Sequence, residues 1–261
     1  LATVLGEIGV DVVGLANNHA FDQGNEGLRR TRDLARAAGL VAPGAGTSAA
    51  DALAPVIVER SGVRVSFVSL TTSLNRRGTD GPRFFVGRSE PEGELAAALA
   101  DARARSDVVV ALVHWSVDFV MEADGEQRSL ARRLVEAGAD VVLGTGPHVL
   151  HEVVRLSSPR GEALVAYSLG NVASGMGRAY RLGHPPHDYV HPANVRPEAR
   201  DGLLLRVGVS VSAEGRIVLE RIEGVPLWTE NDYLEAPEHA TVRVVRLADA
   251  GAAVCAERLP V

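Results

Sequence analysis

Four polar clusters in this chain carry residue types that do chemistry: Asn17-Asn18-His19, His114-Trp115, Gly146-Pro147-His148 and Ser168-Leu169-Gly170-Asn171. Imidazole nitrogens and amide oxygens are ligands for borderline metal ions, and an imidazole also moves protons near neutral pH. The clusters therefore point to a metal site or an acid/base site. In the first, Asn18 can complete a metal site and His19 can protonate a leaving oxygen, with Asn17 beside them. Asp22 can orient the His19 ring from behind, or can cap the helix that follows. The same Asn-Asn-His triplet also reads as a plain turn that caps that helix.

His114 ends a run of apolar residues and suits a ligand, although a lone His there is as readily a packed strand-end residue. His148 follows Gly144-Thr145-Gly146-Pro147, where the glycines permit close backbone approach and the proline stiffens the loop. His151-Glu152 is the first half of a zinc-helix motif whose second His is replaced by Arg155, so that motif is rejected. His184, His187 and His191 share a Pro-rich stretch that reads as a solvated surface loop rather than a second metal site. No Gly-x-Ser-x-Gly elbow is present, so nucleophilic serine chemistry has no support.

Each cluster sits at the end of a Val/Leu/Ala-rich run: VDVVGLA, DVVVALV, DVVLGT and EALVAY. A short apolar run that ends in a polar turn before a helical pattern reads as a buried strand. Strands feeding helices make an α/β sheet, and such sheets present ligand sites at the carboxyl ends of their strands. The pattern predicts a helix end over 1–9, strands at 10–16, 107–113, 140–143 and 162–169, and a helix over 24–38 with Leu28, Leu34, Ala35 and Ala38 as its apolar or small positions. Strands at 54–60 and 63–70 flank the Ser61-Gly62 break. A helix over 91–105 has Pro91 in its first turn, and another runs over 125–137. Loops are expected at 43–52, 74–90 and 174–200, a hairpin at 202–211 and 216–223, a last strand at 240–247, and a featureless tail. The βα alternation (1–200) gives way to a β-rich part (201–261), which reads as a change of layer within one domain.

The 261 residues, 46% of them hydrophobic, suffice for one large core or two modest ones. Net charge is -6, so no global basic field is available for nucleic acid. All 27 basic residues are Arg, which excludes a Schiff-base lysine and a Walker-type phosphate loop. The single cysteine, Cys255, can form neither an intrachain disulfide nor a thiolate metal cluster. No apolar stretch reaches the roughly 18 residues of a membrane span. The first residues show neither a basic n-region nor a cleavage site, and they read as the last turns of a helix, which suggests a missing upstream segment.

Taken in order, GVDVVGLANNHAFDQGNEGL, LVHWSVDF, RRLVEAGADVVLGTGPHVLHEV and VAYSLGN resemble the CapA family of bacterial poly-γ-glutamate capsule biosynthesis proteins, relatives of the calcineurin-like metallophosphatases. ADALAPVIVERSGVRVSFVSL and RDGLLLRVGVSVSAEGRI add to the resemblance. It implies a metallophosphatase-like α/β/β/α sandwich lacking its N-terminal strand or strands, with a metal site at one sheet edge. On that resemblance Asn18, His114 and His148 are metal ligands and His19 is the general acid, with Asp22 beside it. Asn17, Asn171 and His151 line the site. The implied cofactor is Mn, Fe or Zn, two ions in the full-length protein. The implied partners are a polyglutamate or phosphoester substrate and membrane-bound capsule synthesis machinery. The family pattern differs in three ways: its strand with a metal-binding Asp and its Asn-Leu-Glu segment would precede Leu1 and are not in this sequence, Thr145 stands where a His often stands, and Asp118 replaces a Glu. The implied function is metal-dependent hydrolysis, and the alternative is a non-catalytic scaffold or polyanion-binding subunit.

Overall fold

The computed structural model describes residues 1–78, 80–81, 83–90, 92–182 and 192–258. Pro91 and His184, His187 and His191 lie outside the described residues. In chain order the elements are α1 (Ala2–Glu7), α2 (Gly24–Ala37), β1 (Ala45–Gly46), α3 (Ala49–Leu53), β2 (Val56–Arg60), β3 (Val63–Thr71), β4 (Phe85–Val86), α4 (Glu92–Arg105), β5 (Val108–His114), α5 (Gly125–Glu136) and β6 (Val141–Thr145). Then follow β7 (Val153–Ser158), β8 (Gly161–Ala166), α6 (Pro192–Val195), β9 (Asp201–Val211), β10 (Ile217–Asn231), β11 (Val242–Arg246) and α7 (Ala252–Arg258).

Nine strands form one sheet, in the path β11-β10-β8-β6-β5-β3-β2, with β7 paired to β8 and β9 to β10. Its centre is parallel: β3 with β5, β5 with β6, and β6 with β8. A parallel centre buried on both faces is what near-continuous apolar strands specify, and β5 (VVVALVH) is such a strand. Its alternate residues face opposite cores. Val109, Ala111 and Val113 pack with Leu95 and Leu99 of α4 and Leu130, Ala131 and Leu134 of α5. Val108 and Val110 pack with Val141, Leu164, Ile217 and Leu219, with Leu205 and Val207 of β9 against them. The β9–β10 hairpin thus covers the face that the helices leave open. A third cluster joins α2 to the segment before it through Leu15, Phe21, Leu28, Ala35 and Phe84.

Local signals place most boundaries. The β2–β3 turn uses Ser61 at φ 51° and Gly62 at φ 78°, the double positive φ that two-residue hairpins favour. Helix α5 begins with a capping box: Asp124 accepts from the Gln127 backbone N–H at 2.8 Å, and Gln127 Oε1 accepts from the Asp124 N–H at 2.9 Å. At the other end of the parallel strands Asp140, 2% exposed, accepts from Arg103 Nη1 (2.7 Å), Arg160 Nη1 (3.2 Å) and the Val109 N–H (2.8 Å), so one carboxylate ties α4, β5 and the β7–β8 turn together.

Several expectations need correction. Residues 10–16 are extended but are no strand of the sheet. Their bonds run to one side only, Val13 N–H to Val41 C=O (2.8 Å) and Leu15 N–H to Pro43 C=O (2.9 Å), with a single bridge between Val12 and Val41. Leu34 points outward, 53% exposed, because the α2 face is set by Leu28 and Ala35 seven residues apart. Strand β7 is additional, formed because the chain reverses after Ser158 and pairs residue for residue with β8. The tail is not featureless: α7 docks through Arg258, which pairs with Asp201 and Glu198.

Candidate functional site at the carboxyl edge of the sheet

His114 is the last residue of β5, and Thr145 the last of β6, directly opposite it in the register. Two close approaches shape this edge. A Cβ on Gly144 would stand 2.0 Å from the Tyr167 carbonyl oxygen and 2.3 Å from Trp115 Nε1, and one on Gly146 2.3 Å from the Trp115 carbonyl oxygen. Only glycine fits, so β6 can pass under Trp115 and bring His148 back over the strand ends. Trp115 is buried, and its Nε1–H donates to the Tyr167 carbonyl at 2.7 Å.

Each histidine is aimed by a second group. His19 Nδ1 lies 2.8 Å from Asp22 Oδ2 and donates to it, which leaves Nε2 as the ring nitrogen for another partner. Asn17 Oδ1 accepts from the His19 backbone N–H at 2.9 Å, which makes the turn. Asn18 is held by Asn75: its Nδ2 donates to Asn75 Oδ1 (3.3 Å), and its carbonyl accepts from the Asn75 N–H (2.9 Å). That leaves Asn18 Oδ1 free of this pair.

His148 takes a left-handed backbone at φ 61°, unusual for a side chain with a Cβ. Asn171 fixes it from two sides: Oδ1 lies 3.0 Å from His148 Nδ1, and Nδ2 donates to the carbonyls of His148 (3.2 Å) and Ala199 (2.9 Å). His148 Nδ1 therefore donates to Asn171, and Nε2 is the ring nitrogen left for another partner. Phe119, also left-handed at φ 58°, stacks on the His148 ring with centroids 5.6 Å apart.

The electrostatics of this edge centre on His114. Burial lowers the His114 pKa from 6.5 to about 4, and the neighbouring His148 and His19 push the same way, while Asp118 opposes them. His114 is therefore neutral and holds a lone pair across the physiological range. Its Nδ1 lies 3.3 Å from Thr145 Oγ1. His151 sits apart, 7% exposed, with Nε2–H donating to the Val120 carbonyl at 2.7 Å; it braces the 116–122 loop.

As a metal site the arrangement is partial. Two imidazoles and an amide oxygen suit a borderline dication in type. Among the described residues, however, no group of three or more His, Cys, Asp or Glu side chains gathers to hold an ion. Sequence reasoning did not single out Asn75, Phe119 or Arg196, whose Nη1 donates to the Phe119 carbonyl at 3.1 Å. Each lies in an irregular segment with no periodic signal, and only tertiary placement brings it to the edge.

A mixed α/β protein with a largely parallel sheet and a histidine-bearing carboxyl edge is a fold of the metallophosphatase kind. The chain superposes with a TM-score of 0.51 on NAD nucleotidase from Haemophilus influenzae, at 16% identity, over 88% of this chain and 39% of that one. The chain belongs to the bacterial capsule synthesis protein family PGA_cap, which matches residues 1–176. It is 30% identical over 176 residues to the PGA biosynthesis protein CapA of Bacillus subtilis strain 168, covering 64% of this chain and 43% of that protein. It is 29% identical over 176 residues to the capsule biosynthesis protein CapA of Bacillus anthracis, covering 63% of this chain and 40% of that protein. The chain thus spans about two fifths of the length of these curated relatives. No helix among the described residues is long and apolar enough to cross a membrane.

Proposed function

We propose that this chain acts in the synthesis of a poly-γ-glutamate type capsule polymer, and that it handles an amide or phosphoester bond at the carboxyl edge of β5 and β6. The observation that supports this reading is the family match over 1–176, a span that contains Asn17, Asn18, His19, Asp22, His114, His148 and Asn171. In the proposal Asn18, His114 and His148 contribute donors to a divalent ion, Mn, Fe or Zn. When bound, that ion supplies a water of lowered pKa. The chain's own residues do the rest. His19, held by Asp22 on Nδ1, offers Nε2–H to a leaving group when protonated. Asn171 keeps the His148 lone pair on Nε2. Burial keeps His114 unprotonated and ready as a donor.

The second reading is a polymer-binding subunit without hydrolytic activity. The lack of a three-residue ligand group among the described residues favours it. Elemental analysis of the purified chain and of His148→Ala separates the two. Near one equivalent of Mn, Fe or Zn that is lost in the variant is expected. Metal-free protein in both cases, even after incubation with excess ion, would overturn the hydrolytic reading and leave the binding one.

A further inference from the structure

His148 and Phe119 both hold left-handed backbone, at φ 61° and 58°, and a residue with a Cβ persists there only where its surroundings over-determine it. Those surroundings converge on one short segment, residues 196–201. Arg196 Nη1 donates to the Phe119 carbonyl at 3.1 Å. The Ala199 carbonyl accepts from Asn171 Nδ2 at 2.9 Å, and the Asp201 carbonyl accepts from the Asn171 N–H at 3.0 Å. The two stretches of chain are pressed together: a Cβ on Gly170 would stand 2.4 Å from the Asp201 carbonyl oxygen, and one on Gly202 2.3 Å from the Asn171 carbonyl oxygen. Asn171 Oδ1 then meets His148 Nδ1 at 3.0 Å. A shift of residues 199–201 is therefore passed to Asn171, and from Asn171 to the His148 ring.

The C-terminal helix holds this segment in turn. Arg258 of α7 reaches the Asp201 carboxylate with Nη2 and with Nε (3.4 Å), and its Nη1 lies 3.5 Å from Glu198 Oε1. The Arg258 and Asp201 side chains are only 16% and 13% exposed. In so sheltered a pair, loss of one partner leaves the other charge uncompensated, and the carboxylate must move toward water. Tyr180 ties down the same helix, its hydroxyl donating to Glu257 Oε1 at 2.5 Å. Arg200 serves other partners, the Gly177 carbonyl (3.0 Å) and Asn231 Oδ1 (3.2 Å), so it does not replace Arg258. Residues 196–201 and α7 lie outside 1–176, the span that matches the family and carries both His148 and Asn171.

We propose that Arg258 is a positioning residue for His148: by holding Asp201 it fixes the carbonyls that fix Asn171, and Asn171 aims the imidazole. The use made of an aimed ring rests on the function proposed above. The hold itself does not, and it can be read without metal.

Nitrogen NMR of the full chain, labelled on its histidines and kept metal-free with a chelator, reads the ring. At alkaline pH, where an imidazole is neutral, the wild-type His148 signal (assigned by its loss in His148→Ala) is expected to show its proton on Nδ1. In Arg258→Ala that pattern is expected to be lost, and exchange of the Asn171 N–H to quicken about tenfold. Arg258→Lys, which keeps a cation within reach of Asp201, is expected to recover most of both. Arg246→Ala, which breaks an exposed pair with Asp249 in the same tail, is the control for general loosening. An unchanged His148 pattern in Arg258→Ala overturns the proposal, as does an equal change in Arg246→Ala or a wild-type proton on Nε2. Should Arg258→Ala not fold, Asp201→Asn is read in its place, since it keeps size and backbone carbonyl and removes only the charge that Arg258 grips; an unchanged ring there overturns the proposal as well. A ring that responds in a chain that takes up no metal supports the hold and overturns the hydrolytic reading.

Discussion

Gly144→Ala tests whether the carboxyl edge is built on a backbone approach that only glycine allows. An added Cβ would meet the Tyr167 carbonyl oxygen at 2.0 Å and Trp115 Nε1 at 2.3 Å, both far inside contact distance. Neither neighbour is a flexible side-chain end. The first is backbone beyond β8, and the second belongs to an indole that is 1% exposed. The methyl group must therefore part β6 from the residues after β8 or push the indole off its 2.7 Å bond to Tyr167. Overpacking a dense core costs about 1–3 kcal/mol. A buried N–H left without an acceptor adds about 1–3 kcal/mol. The two together give a loss of roughly 2–6 kcal/mol, large against the 5–15 kcal/mol total of a typical domain. Urea unfolding followed by tryptophan fluorescence reads both effects, since Trp115 reports the displacement directly. Gly125→Ala is the control: like Gly144 it has no positive φ, and its added Cβ meets nothing within 4 Å. A Gly144→Ala loss no larger than that of Gly125→Ala would refute the reasoning, because the close approach would then carry no cost.

Two further outcomes follow from other parts of the fold. Asp140→Ala leaves Arg103, Arg160 and the Val109 N–H facing a vacated buried position, and removal of one partner of such a pair costs about 3–5 kcal/mol by chemical denaturation; a cost under about 1 kcal/mol would show that these strands do not depend on the carboxylate. His114 sets a pH dependence. Its folded pKa, about 4, lies below the ordinary 6.5, so stability is full above pH 6.5 and is lost as pH falls from there toward 4. At pH 5 the loss amounts to roughly 2 kcal/mol, and His114→Gln in metal-free buffer should lack that part of the decline between pH 7.5 and 5; an unchanged decline would mean that His114 is not held neutral by its surroundings.

The apolar runs and their polar ends state the sheet in the sequence itself. VVVALVH can be buried on both faces, so a central parallel strand and a histidine at its carboxyl end follow from residue type alone. The hairpins, the capped helix α5 and the family resemblance are equally local, each carried by a few adjacent residues. What local pattern could not state is partnership. VDVVGLA has the composition of a buried strand, but a strand needs a neighbour on the sheet, and the strand-like backbone bonds of residues 10–16 run only to 41–43. Leu34 satisfies the helical period but faces water, because which side of α2 is inner depends on what lies beneath it.

The site divides in the same way. The identities of His19, His114 and His148 are written in their clusters, as is the freedom of the glycines before His148. Their chemistry is decided across the chain. Asp22 fixes the His19 ring, Asn171 fixes His148 from 23 residues away, and burial beside two other imidazoles keeps His114 neutral. Residue type can be read from a sequence because it is a property of one position. Protonation state, tautomer and an unpartnered donor such as Gln127 Nε2 are properties of a neighbourhood, and only the tertiary structure assembles one.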